Sequence, residues 1–172
     1  MLALLVAGAF VPVAAIAEVS NSRGSKYRVE TCFRGQDDLV TRFVYPDRTA
    51  VLTIAGGKIR VTESGKPDKE GGDGERRFAF GHNFHAIALN AQRWLQGDAY
   101  ALPFGGSMVV LATENGLPSK MRFEGPDTTP VELSFSDWRG QGPLPYRLEL
   151  RHAGVTYDYR YSSVDKRCGK AS

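Results

Sequence analysis

Cysteine, histidine and tryptophan are scarce in this chain, at two, three and two among 172 residues. No Cys-x-x-Cys occurs and the two cysteines are far apart, which excludes a dithiol redox motif. No Gly-x-Ser-x-Gly is present, and no cysteine pairs with a histidine in a recognisable motif. A glycine-rich turn with phosphate-cradling spacing is absent as well, since Gly105-Gly106 leads into an extended segment. The excess of cationic over acidic side chains is only three, and the charges are interspersed. Glu75-Arg76-Arg77 and Lys166-Arg167 read as solvated charge, not as the basic stripe that nucleic acid requires. No internal repeat is visible. These absences leave neither an enzyme nor a cofactor to expect.

The one long apolar run is at the start. Leu2 to Ile16 carry no charge, and Ala15-Ile16-Ala17 precedes Glu18. An apolar core of about 15 residues before a small-x-small site is a secretory leader pattern, and spanning a bilayer takes about 20 residues. No Lys or Arg precedes the run, so either the true start lies upstream or the signal is weak. A buried N-terminal helix or an uncleaved anchor is the other reading. No cysteine follows the run, which argues against a lipid-modified N-terminus. The expected organisation is a signal peptide over 1–17 and one domain over 18–172, working in the periplasm with no membrane span in the mature chain. In that oxidising compartment Cys32 and Cys168 are expected to form a disulfide tying the first strand to the C-terminal tail; two unpaired thiols are the alternative.

Alternation then dominates. Tyr27, Val29, Thr31 and Phe33 share one face of an extended segment. Leu39–Tyr45, Ala50–Ile54 and Lys58–Thr62 follow, the last two flanking the hairpin signal Gly56-Gly57. Glu63 to Glu75 reads as a long mobile loop without a core anchor. Phe84, Ile87, Ala88, Ala91, Trp94 and Leu95 make one helical stripe, with Asn83 a candidate cap and Gly97 a candidate stop. Strands return at Ser107–Ala112, Lys120–Gly125, Val131–Phe135, Tyr146–Arg151 and Val155–Ser162. The inventory of about nine or ten strands and one principal helix predicts a mainly β fold. The expected form is a strongly curved antiparallel sheet, an open half barrel, with the helix covering its concave face.

The order Asn115-Gly116-Leu117-Pro118-Ser119-Lys120, then Ser136-Asp137-Trp138-Arg139, then Gly142 and Leu144-Pro145-Tyr146-Arg147, resembles the bacterial outer-membrane lipoprotein carriers and their relatives, the LolA/LolB-like superfamily. Phe43-Val44-Tyr45-Pro46-Asp47-Arg48 is similar to that group's early strands. The clearer part of the match covers about 60 residues, and its motifs are loose. The resemblance implies an unclosed barrel with a helical lid and an apolar cavity for acyl chains of lipoproteins or other lipids. The group includes soluble carriers, anchored receptors and envelope-stress sensors. This sequence shows one obvious helix where the carriers have several.

Phe43, Phe84, Trp94, Phe104, Phe123, Leu133, Phe135 and Leu148 are the candidates for lining such a hollow; packing together as ordinary core is the plainer alternative for each. His82 and His85 stand three apart and suggest a weak metal pair, with His152 or Asp98 as nominal third ligands. The expectation is a periplasmic binding or carrier module for a lipid, acylated protein or other hydrophobic ligand. The competing reading is an envelope interaction or regulatory protein with a filled core and no ligand.

Overall fold

Period-two alternation makes most of this chain into strands, and the pairing order joins them into one sheet. The computed structural model describes residues 10–35, 37–90, 107–124, 129–141 and 144–168. A first meander comprises β1 (Val13–Asn21), β2 (Lys26–Gly35), β3 (Asp38–Val44), β4 (Thr49–Ala55), β5 (Lys58–Glu63) and the short β6 (Lys69–Glu70). Two helices, α1 (Asp73–Gly81) and α2 (Phe84–Leu89), connect it to a second. That one comprises β7 (Ser107–Glu114), β8 (Leu117–Glu124), β9 (Val131–Arg139), β10 (Leu144–His152) and β11 (Val155–Asp165). The strand order is β6-β5-β4-β3-β2-β1-β11-β10-β9-β8-β7, antiparallel throughout.

The expected half barrel needs correction here. The sheet is open, its edge strands β6 and β7 are not paired with each other, and it is neither closed nor strongly curled. The lone helix expected from Asn83 to Gly97 is also revised, because α2 ends at Leu89 and α1 precedes it. Its second half lies outside the described residues. Nor is Glu63 to Glu75 one long loop: it holds β6 and the start of α1.

Register carries one apolar face across the sheet. Ala17 lies opposite Val29, Val29 opposite Phe43, and Phe43 opposite Ala50. In the other direction Val19 faces Tyr159, Tyr159 faces Leu148, and Leu148 faces Phe135. Leu133 stands between Leu150 and Met121. All but Ala50, which packs against it, belong to a single buried cluster. Polar pairs such as Arg147–Asp158 and Arg122–Glu132 are exposed, as expected for an antiparallel sheet with one wetted face. At Gly56-Gly57 both residues have positive φ, +55° and +78°, which the two-residue hairpin between β4 and β5 demands.

β1 is the seam between the meanders, paired with β2 on one side and β11 on the other. The boundary expected after Ala17 falls inside it. Val13, Ala15 and Ala17 are buried there, and Phe10 packs edge-on against Phe33 at 5.6 Å. Cys32 is disulfide-bonded to Cys168, with Cα atoms 5.5 Å apart; Cys32 pairs with Ala14 of β1, so the bridge clasps the seam. A chain beginning at Glu18 is therefore expected to lose its cooperative unfolding transition, while a chain beginning at Phe10 keeps it; circular dichroism during urea titration of the two distinguishes them.

Candidate functional site

The helices lie over the buried face, α1 against β4 and α2 against β1 and β8. The start of α1 is stabilised by its own sequence. The Glu75 carboxylate accepts from the Gly72 N–H at 3.0 Å, the returning half of a capping box. Asp73 and Glu75 also place negative charge where the helix dipole favours it. Between the helices, His82 and Asn83 point into the protein, so the break delivers polar side chains to an apolar face.

His82 is fully engaged. Its Nδ1 lies 2.9 Å from the Phe78 carbonyl and its Nε2 3.2 Å from the Tyr27 hydroxyl. A carbonyl only accepts, so Nδ1 carries the proton and Nε2 accepts from Tyr27. The result is a directed chain from Tyr27 through His82 to a main-chain oxygen, with the Tyr159 ring 6.0 Å from that of His82. The His82 ring packs edge-on against Phe43 and Phe78, each at 4.7 Å. Burial holds the imidazole neutral, with its pKa pushed down to about 4, and raises the Tyr27 and Tyr159 phenols.

His85 faces the other half of the sheet. Its Nε2 hydrogen-bonds the Pro145 carbonyl, and its ring meets Phe135 edge-on at 5.8 Å and Tyr161 at 3.8 Å between centroids. Burial again lowers its pKa to about 4. Asn83 donates to Thr41 Oγ1 at 2.9 Å and to the Ala79 carbonyl at 2.7 Å. Its Oδ1 has no partner, so the expected capping role for that oxygen is not made. Asn90 clamps the chain before β1: Oδ1 accepts from Val11 N–H at 2.8 Å and Nδ2 donates to Val11 O at 3.1 Å.

Of the expected lining residues, Phe43, Leu133, Phe135 and Leu148 are all buried on this one face. Phe84 opens α2 and Phe123 lies in β8; their side chains, and all of Trp94 and Phe104, lie outside the described residues. The two histidines do not converge on a metal position. Both nitrogens of His82 are engaged, His85 turns toward β10, His152 is exposed on the β10–β11 hairpin, and Asp98 lies outside the described residues. No group of three or more His, Cys, Asp or Glu suited to a metal occurs among the described residues. An open cleft of about 790 Å3 at β4–β6, edged by Lys58, Arg60, Asp68 and Glu70, shares no residue with this set.

Reading the sequence alone missed Tyr27, Tyr159 and Tyr161 as site residues. The available signal was three phenols on the inward face of strands, where each buried hydroxyl needs a partner. At the Ser136-Asp137-Trp138-Arg139 bend, Asp137 adopts φ +58°, Trp138 packs against the core, and the Arg139 guanidinium lies 4.8 Å over the Tyr146 ring.

Both histidines make stability pH-dependent. Their folded pKa lies below the ordinary value of 6.5, so between pH 6.5 and about 4 the unfolded chain binds more protons. Stability is full above pH 6.5 and falls as pH drops through that window, by about 3 kcal/mol per imidazole at the most. Urea midpoints at pH 7.5 and 4.5 should show the loss, and His85→Phe should remove roughly half of it.

No family model matches the chain, and no curated protein matches it either. Among solved structures, it is similar to the LolA superfamily protein NE2245 from Nitrosomonas europaea, at 12% identity and a TM-score of 0.53. The match covers 91% of this chain and 86% of that one. The likeness is one of fold, shared over most of both chains.

Proposed function

We propose that this chain is a periplasmic, non-catalytic carrier or binding module for a lipid, an acylated protein or another hydrophobic ligand. The observation that carries the reading is the fold: one open sheet whose apolar face is covered by helices, shared with a LolA superfamily protein over most of both chains. In that arrangement the helices act as a cover, and a ligand would lie between them and the sheet's apolar face. Phe43, Phe84, Trp94, Phe104, Phe123, Leu133, Phe135 and Leu148 form its wall. A mostly apolar site with few polar groups suits such a ligand. The Cys32–Cys168 disulfide fits an oxidising compartment. Export would use a secretory leader, expected over 1–17 from the sequence.

One observation favours the second reading, an envelope interaction protein with a filled interior. Phe43, Leu133, Phe135 and Leu148 are each 4% exposed or less and pack within one cluster.

Protein purified from periplasm, extracted with organic solvent and analysed by mass spectrometry, is expected to release a lipid. A fluorescent lipid probe should then bind the delipidated protein saturably. A clean extract together with no probe binding overturns the carrier reading in favour of the filled core.

A further inference from the structure

Two imidazole–tyrosine pairs occupy the buried face, three residues apart along the helical segment, and only one is saturated. At His82 every ring nitrogen and the Tyr27 hydroxyl are in use. At His85 the Nε2–H donates to the Pro145 carbonyl, which leaves Nδ1 as a bare acceptor. Among the described residues, neither Nδ1 nor the neighbouring Tyr161 hydroxyl has a hydrogen-bond partner. The residues are 2% and 7% exposed, and an unpaired polar atom in such a place is destabilising. Phe135 stands edge-on to His85, and Ala17 lies opposite Tyr161 across the seam. A register shift between Ile16 and Ala17 falls at the same point, the kind of irregularity that re-aims a side chain.

We propose that His85 Nδ1 and the Tyr161 hydroxyl form a polar subsite that takes an uncharged hydroxyl of a lipid, such as the free hydroxyl of an acylglycerol. This rests on the carrier reading and narrows it to a ligand class. One hydroxyl satisfies both atoms, donating to Nδ1 and accepting from Tyr161. An ether or methyl ester has no proton for Nδ1. A carboxylate or phosphate likewise brings only lone pairs, together with a charge that burial penalises.

The test is displacement of a fluorescent naphthylamine probe from the delipidated full chain by three lipids of one acyl length at pH 8: monoolein, methyl oleate and oleate. Monoolein is expected to bind about tenfold more tightly than methyl oleate. Tyr161→Phe removes a single oxygen; His85→Phe removes the unpaired acceptor together with the Nε2–H bond to the Pro145 carbonyl. Each should bring the ratio close to one with the methyl oleate affinity little changed, and circular dichroism checks that both variants fold. Equal affinities in the unaltered protein, oleate as the tightest ligand, or a monoolein preference that survives both substitutions overturns the subsite alone. If none of the three lipids displaces the probe and the probe itself does not bind, the carrier reading falls as well.

Discussion

The antiparallel pairing of β1 with β11 is the contact on which the rest of the architecture depends. Each meander on its own is a local product of short turns, but its apolar face is incomplete. Joining the first strand to the last produces one continuous face wide enough for the helices to cover. That pairing is the most non-local in the chain, so closing it costs the most entropy. The Cys32–Cys168 bridge offsets the cost from the side of β2. With 136 residues between its ends, it lowers the entropy of the unfolded chain by an amount worth about 5 kcal/mol in the chain-entropy account. Asn90 adds a third tie by holding both main-chain groups of Val11 just before β1.

The seam also explains the composition of β1. Its inward residues are Val13, Ala15, Ala17 and Val19, small for a central strand, and α2 lies against it. Small side chains let a helix approach the sheet closely. The space they concede is partly filled from either side by the rings of Tyr27, His82, Tyr159, Tyr161 and His85. These rings are amphipathic, so their polar atoms must be reconciled with burial. On the His82 side a directed hydrogen-bond chain does so.

Much of the sheet was legible because alternation and turn chemistry are local. Tyr27–Phe33, Leu39–Tyr45 and Val155–Tyr161 show their inward faces directly, and Gly56-Gly57 marks its hairpin. β1 was not read as a strand for a physical reason. Val13 to Ile16 form a short apolar run without alternation, and a strand buried at the centre of a sheet has the same signature as the end of a secretory leader. Its partner, β11, is at the opposite end of the chain, where no local pattern can reveal it. α1 was missed because Gly71-Gly72-Asp73-Gly74 reads as turn, and only the Glu75 side chain returning to Gly72 shows a helix start. Of the site, Phe43, Leu133, Phe135 and Leu148 were found because apolar burial follows strand parity. The tyrosine–histidine contacts join residues such as Tyr27 and His82, 55 positions apart, and depend on the pairing order.

An open sheet has to manage two edges, and the two here differ. The β6 edge consists of Lys69 and Glu70, both exposed, and a very short charged strand is a poor template for further pairing. β7 is longer and exposes Val109 and Leu111. A fold that closed into a barrel would have removed both edges. Leaving the sheet open keeps the helices attached chiefly through side chains on one face: His82 and Asn83 to β2 and β3, His85 to β10. These hydrogen bonds, each worth on the order of 1 kcal/mol net, add to the Asn90 clamp on Val11 and to the burial of Ala79 and Ala86 within the apolar cluster, so the helices are held by side-chain contacts and the sheet by its strand ladder.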